Sequence, residues 1–145
     1  LSLPYQQNIK DGNFKCLQIE GIPKDKAGFF FVNFNKATPD GDNDEVAVSF
    51  EFCFNHKGRK NQIVGYTYAN GRKTNSQVFD GNFPFKTQTP FEMEIRKKDD
   101  LKALKVFVND AKIWEYPISI EISTFAAVRV GGDFDLRNFK IEVDK

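Results

Sequence analysis

The sequence predicts an all-β fold, a sandwich or barrel of many short strands. Three observations carry that expectation. Val46 to Phe54 alternates over its whole length, with Val46, Val48, Phe50, Phe52 and Phe54 on one side and Ala47, Ser49, Glu51 and Cys53 on the other; only a strand has a period of two. Phe contributes 16 of 145 residues, a usage suited to pleated, half-buried surfaces. Turn-forming clusters recur between the alternating runs, at Pro39–Asp44, Asn70-Gly71 and Asp80-Gly81-Asn82, as they do between strands joined by tight connections.

The strands follow in order. Phe14 to Ile19 is one, and Phe29 to Phe34, close to fully apolar, is another. After the Val46–Phe54 strand comes the basic loop His56-Lys57-Gly58-Arg59-Lys60, read as a solvated hairpin loop, and then Gln62 to Tyr68. Phe91 to Arg96 and Leu104 to Val108 alternate cleanly, and Ile113 to Tyr116 follows an Asn109-Asp110-Ala111 turn. Val128 and Val130 lead into Gly131-Gly132-Asp133, and Phe134 to Val143 alternates to the end. Lys98 to Leu104 competes as a helical turn. It is too short to hold a helix alone, so a hairpin turn is expected there. In the strand at Val46–Phe54 the large side chains must face the core, and the small and polar ones solvent or a ligand.

Length and composition set further bounds. A chain of 145 residues with 40% hydrophobic content can bury a substantial core and is sized for one domain, 1–145. Lys and Arg number 21 against 20 Asp and Glu, for a net charge of +1. Nothing in that balance asks for a nucleic acid, an anionic membrane or an acidic substrate. Cys16 and Cys53 do not read as a disulfide scaffold in a chain with this much core, and whether they meet is left open. There is no Asn-x-Ser/Thr sequon and no long apolar run of transmembrane length. The start, Leu1-Ser2-Leu3-Pro4-Tyr5, has no initiator Met, as a fragment or trimmed chain would not, and is no signal peptide. A reducing, cytoplasmic setting is expected.

From Asp44 to the C-terminus the pattern resembles the galectin family. Val46-Ala47-Val48-Ser49-Phe50-Glu51-Phe52 is similar to the family's strand reading apolar-Ala-apolar-His-Phe-Asn. Gln62-Ile63-Val64, Phe83-Pro84-Phe85 with Pro90 to Ile95, and Phe107 to Asp110 through Trp114-Glu115-Tyr116-Pro117 follow in the family's order. Gly132 to Leu136 looks like its last hairpin, and Pro4-Tyr5 and Phe30 to Phe34 fit its first strands. The resemblance implies a two-sheet antiparallel jelly-roll sandwich and a non-enzymatic binder without cofactor or metal, cytoplasmic or non-classically secreted. A β-galactoside would lie across its concave sheet.

The family reads galactose with a His, an Asn and an Arg on alternate positions of one strand, an Asn on the next, a stacking Trp, then a Glu and an Arg. Carried over position by position, the resemblance puts Ser49, Glu51 and Cys53 at the first three places, Tyr66 at the fourth, and Thr74, Gln77 and Phe79 at the last three. Arg72 and Lys73, from their loop, are further contributors to weigh. Ser and Cys cannot reach as far as His and Arg, and an ionised Glu offers no donor. A site built to bond a hydroxyl fails when those partners vanish, so weak or absent lactose binding is expected. Tyr66 is the candidate for a replacement stacking platform, against ordinary packing beside Phe79. Trp114 reads as a core aromatic.

Catalytic readings are thin. His56 is a lone loop His; a Cys53–His56 pair lacks an orienting acid. Glu51 with Glu92 or Glu94 as paired acids reads better as exposed strand charge. Asp40, Asp42, Asp44 and Glu45 lack the spacing of a calcium loop. Three functions remain: a binding module whose concave face serves a protein or an atypical glycan, a lectin that keeps galactose-containing glycans through other residues, and a structural or dimerising domain. The edges for a homodimer are the N-terminal segment and the final strand from Phe134 to Val143.

Overall fold

The computed structural model describes residues 1–143. Among the described residues eleven strands form two antiparallel sheets. The six-stranded sheet has the order β1 (Tyr5–Asn8), β10 (Phe125–Gly132), β3 (Phe29–Lys36), β4 (Glu45–His56), β5 (Arg59–Ala69), β6 (Arg72–Val78). The five-stranded sheet runs β11 (Phe134–Glu142), β2 (Cys16–Pro23), β7 (Phe91–Lys97), β8 (Ala103–Val108), β9 (Ala111–Pro117). One 3-10 turn, Ile122–Thr124, precedes β10. This is the expected jelly-roll sandwich. Lys98 to Lys102 is the connection between β7 and β8 and carries no helix.

The alternating aromatic positions meet between the sheets. Phe30 sits at the centre, with Phe52, Phe85, Phe91 and Phe134 all within 5.3 Å of its ring. Phe50 packs edge-on against Tyr116 of the opposite sheet at 5.1 Å. These residues are fully or almost fully buried, and burying each aromatic contributes about 1.5–3 kcal/mol relative to leaving it in water.

Tyr116 also ties the sheets by polar contacts. Its ring lies where a Cβ on Gly65 of β5 would stand, 2.4 Å from the nearest ring carbon. Its hydroxyl is 2.8 Å from the Thr67 hydroxyl and donates to the Asn75 carbonyl at 3.2 Å. Glycine at position 65 is what lets a tyrosine enter there.

Two bulges correct the simple alternation. β4 pairs Phe34 with Val48 but Asn35 with Val46. Ala47 is the extra residue; it joins the core, and Val46 leaves the row of large inward side chains. β11 pairs Leu136 with Gly21 but Asn138 with Glu20, so its inward series runs Phe134, Leu136, then Phe139. A bulge adds one residue to one strand and shifts the phase of everything beyond it.

Candidate functional site

The six-stranded sheet is the one the resemblance makes ligand-bearing, and its register lays out the outer face. Residues paired across antiparallel strands share a face. Because Val48, Phe50 and Phe52 fill the core, Ser49, Glu51 and Cys53 turn outward. Ser49 lies between Asn33 of β3 and Tyr66 of β5, Glu51 between Phe31 and Val64, and Cys53 between Phe29 and Gln62. Ser49, Glu51, Cys53 and Tyr66 thus share one face of the sheet.

Cys53 is on this face but closed off, with 0% of its surface exposed. Phe29 and Gln62 flank it, and Arg59 donates to the Gln62 side chain at 3.4 Å. Burial, and secondarily the Glu51 charge, push its thiol up to about 11, so it stays protonated and cannot act as a nucleophile near neutral pH. His56 offers it no base: the imidazole stacks flat on Phe29, ring centroids 3.9 Å apart. Ser49 is 6% exposed.

Tyr66, 8% exposed, is covered from the β6 side by Lys73, whose Nζ stands 4.1 Å from the ring centroid. That is a cation–π contact, and it occupies one face of the ring. Lys73 is a β6 residue paired with Tyr68, not a loop residue. Burial, then the Glu51 charge, raise the Tyr66 hydroxyl, with Arg59 opposing. Tyr68 is raised by burial first, then by the Glu51 charge. Arg59 is a guanidinium reaching this face from the first position of β5. The basic run reads as a solvated loop, but the connection is only Lys57-Gly58, and Arg59 begins a strand.

Three carried-over positions leave the face. Gln77 pairs with Gly65 and Thr74 with Thr67, and both partners point at Tyr116 in the core. Phe79, past the end of β6, packs on Trp114 at 5.8 Å. The cause is the register shift between Gly65 and Thr67, beside Asn75 with its φ of 42°. Val78, 47% exposed, stands outward instead, paired with Val64. Tyr66 and Phe79 therefore lie on opposite faces. Trp114 is a half-buried core aromatic, 5.9 Å from Phe50.

The other half of the face is built by β3 and β10. Outward along β3 stand Phe29, Phe31, Asn33 and Asn35, alternating with the buried Phe30, Val32 and Phe34. Arg129 of β10 lies beside Asn33 and donates to Gln6 of β1 at 3.4 Å. The Oδ1 atoms of Asn33 and Asn35 are buried and have no hydrogen-bond partner. An unmet buried acceptor costs about 1–3 kcal/mol. The run looked apolar because its inward and outward members are both Phe-rich; the alternate Asn33 and Asn35 are the signal.

Other candidates disperse. Glu92 and Glu94 lie on β7 in the opposite sheet from Glu51, and Glu94 pairs with Arg96. Asp40 accepts from the Thr38 hydroxyl at 2.6 Å and the Asp42 amide at 3.1 Å, which holds its carboxyl below the usual range, the Thr38 bond foremost. Among the described residues no group of His, Cys, Asp or Glu is arranged to hold a metal ion. Cys16 and Cys53 are both free and face outward from different sheets. No helix among the described residues is long and apolar enough to cross a membrane.

A two-sheet sandwich with a polar-and-aromatic outer face is the architecture of a carbohydrate-binding lectin. Residues 3–141 match the galactoside-binding lectin family, and the chain belongs to that family, the galectins. Its fold is similar to that of sheep galectin-11 in complex with glycerol, with a TM-score of 0.79, 20% identity, and 97% of this chain and 98% of that one covered. A variant of human galectin-16 is similar to the same degree, with a TM-score of 0.79, 22% identity and coverage of 99% and 98%.

Proposed function

We propose that this is a non-catalytic galectin-type binding module whose outer face has lost the galactose-reading set and serves an atypical glycan or a protein surface. One observation carries this reading. The strand that reads galactose in the family presents Ser49, Glu51 and a sealed Cys53 here, and the ring beside them is capped by Lys73. Donors needed for galactose hydroxyls are missing, and an unmet polar partner is costly on both sides of an interface. The absence of a placed nucleophile–base pair on the face supports binding over catalysis. Nucleic acid is not the expected partner, given a net charge of +1.

A glycan array is the first test. The reading expects no enrichment for terminal galactosides; strong galactoside signals would favour a lectin that keeps them through other residues. A pull-down with Tyr66→Ala and Glu51→Ala is the second. Unchanged recovery of a partner would place the interface off the β4–β5 half of the face. A second copy of the chain at the free edges β1 and β11 is a further partner, read by light scattering.

A further inference from the structure

The corner of the sandwich where β10 turns into β11 carries two cations that the fold does not use. β11 pairs Leu136 with Gly21 and Asn138 with Glu20, which leaves Arg137 as the extra residue of the bulge. A bulge re-aims the side chain it releases. Arg137 is exposed and lines two cavities. The smaller, of about 290 Å³, also holds Glu20 and Glu92. The larger, of about 690 Å³, holds Lys24 and Asp135. Among the described residues neither Arg137 nor Lys24 forms an ion pair, although these three carboxylates are close by. Lys24 is fixed at the cavity by its backbone, whose N–H donates to the Asp133 carbonyl at 3.0 Å. The Asp133 carboxylate is engaged elsewhere: its Oδ2 accepts from the Gly28 amide at 2.8 Å and the Phe29 amide at 3.4 Å. Gly132, at a φ of 106°, leaves the wall beside it bare of side chain.

We propose that the larger cavity is a binding site for a phosphomonoester, with Arg137 and Lys24 on the phosphate and Asp135 limiting the affinity. The charge count selects the group. Two cations against one carboxylate leave the walls net positive. A phosphomonoester carries about 1.5 to 2 negative charges near pH 7, whereas a carboxylate carries one. Arginine grips a phosphate with two parallel N–H donors, and lysine adds a point charge. The volume lies within the range of small-molecule sites, about 300–1,000 Å³, so it admits the organic part of the ester as well as the phosphate. The lining is mainly polar, which suits a small polar body better than a long apolar chain. None of Ser49, Glu51, Cys53 or Tyr66 lines the cavity, so the site stands apart from the function proposed for the outer face.

The test is an amide-resolved NMR titration with glycerol 3-phosphate and AMP. Glycerol, adenosine, glycerate and sodium chloride at matched ionic strength are the comparisons. The expected result is saturable shifts from at least one phosphomonoester, centred on Lys24, Gly132 and Arg137, and no such shifts from glycerol, adenosine or sodium chloride. Glycerate, with one charge fewer, should bind about tenfold more weakly. Arg137→Gln should weaken phosphomonoester binding about tenfold, and Lys24→Gln about threefold or more. Arg137→Lys should keep part of the affinity, as a charge without the fork. Asp135→Asn should tighten binding about threefold. All three side chains are exposed, so the variants should fold as the parent does, and amides far from the cavity report this in the same spectra. Glycerate binding as tightly as glycerol 3-phosphate would overturn the phosphate assignment. Saturable binding that survives removal of the phosphate, or that Arg137→Gln leaves unchanged, would overturn the site. So would shifts that sodium chloride reproduces, shifts centred on the basic β4–β5 turn at Lys57 and Lys60, or the absence of any saturable shift. Each of these results leaves the reading of the outer face standing.

Discussion

The two faces of β4 are made by the same residues in alternation and obey different rules. Inward, Phe50 and Phe52 are 0% exposed and locked among aromatic rings from both sheets. Outward, Ser49 and Cys53 are closed over by neighbours on their own sheet rather than by the opposite one, and Glu51 is half-buried between Phe31 and Val64. An interior packed to crystal density tolerates few changes of volume, whereas the outer face is held by fewer contacts, among them the Phe29–His56 stack and the Lys73–Tyr66 pair. Packing between the sheets accounts for the framework, and the proposed loss of galactose reading lies on the face that this packing does not fix.

Substitutions can break that contrast. The largest effect is expected at Phe30→Ala, which removes the ring at the junction of both sheets and should cost about 3–5 kcal/mol in urea unfolding. A loss below 1 kcal/mol, about the value of a surface change, would show that the core does not hinge on this ring. Gly65→Ala comes next, because the new methyl must displace Tyr116; about 1–3 kcal/mol is expected from overpacking. Tyr116→Phe keeps the ring and deletes the hydroxyl shared by Thr67 and Asn75, for about 0.5–1.5 kcal/mol. Glu51→Gln on the outer face should stay within about 0.5 kcal/mol of wild type.

Alkaline pH sharpens the same comparison. Cys53 titrates near 9.0 when exposed and is pushed up to about 11 in the fold by burial, with Glu51 adding to it. The folded chain therefore holds more protons than the unfolded chain across that interval, and its stability falls as pH rises from about 9 to about 11. Cys16, raised by burial first and Glu94 second, acts in the same direction. Cys53→Ala should flatten the decline, as measured by denaturant midpoints across this range. Thiol labelling near pH 8 should be slow until the chain unfolds; rapid labelling of Cys53 in the native state would show that the face is open there.

The sandwich was legible in the sequence because its interior is written as a period of two in Phe, Val and Ile. The strand at Val46–Phe54, the hairpin at Lys98–Lys102 and the core position of Trp114 all follow from that pattern. What was not legible is phase. The bulges at Ala47 and past Leu136 add a residue without any local marker, and the register shift opposite Tyr66 pairs Thr74 and Gln77 with Thr67 and Gly65, off the outer face, with Thr74 still exposed. Strand β6, exposed and polar along almost its whole length, has no hydrophobic period to fix it. That Ser49, Glu51, Cys53 and Tyr66 share one face is legible because they sit on strands whose other face is core. Arg59 and the pair Asn33 and Asn35 are not legible, the first hidden in a basic run and the others inside a run dominated by Phe.

The central claim is that the outer face no longer reads galactose, and titration calorimetry with lactose tests it most directly. The account predicts no measurable heat, or a Kd weaker than about 1 mM, with Lys73→Ala leaving the result unchanged because uncovering Tyr66 restores no donor set. A sub-millimolar Kd for lactose would contradict it.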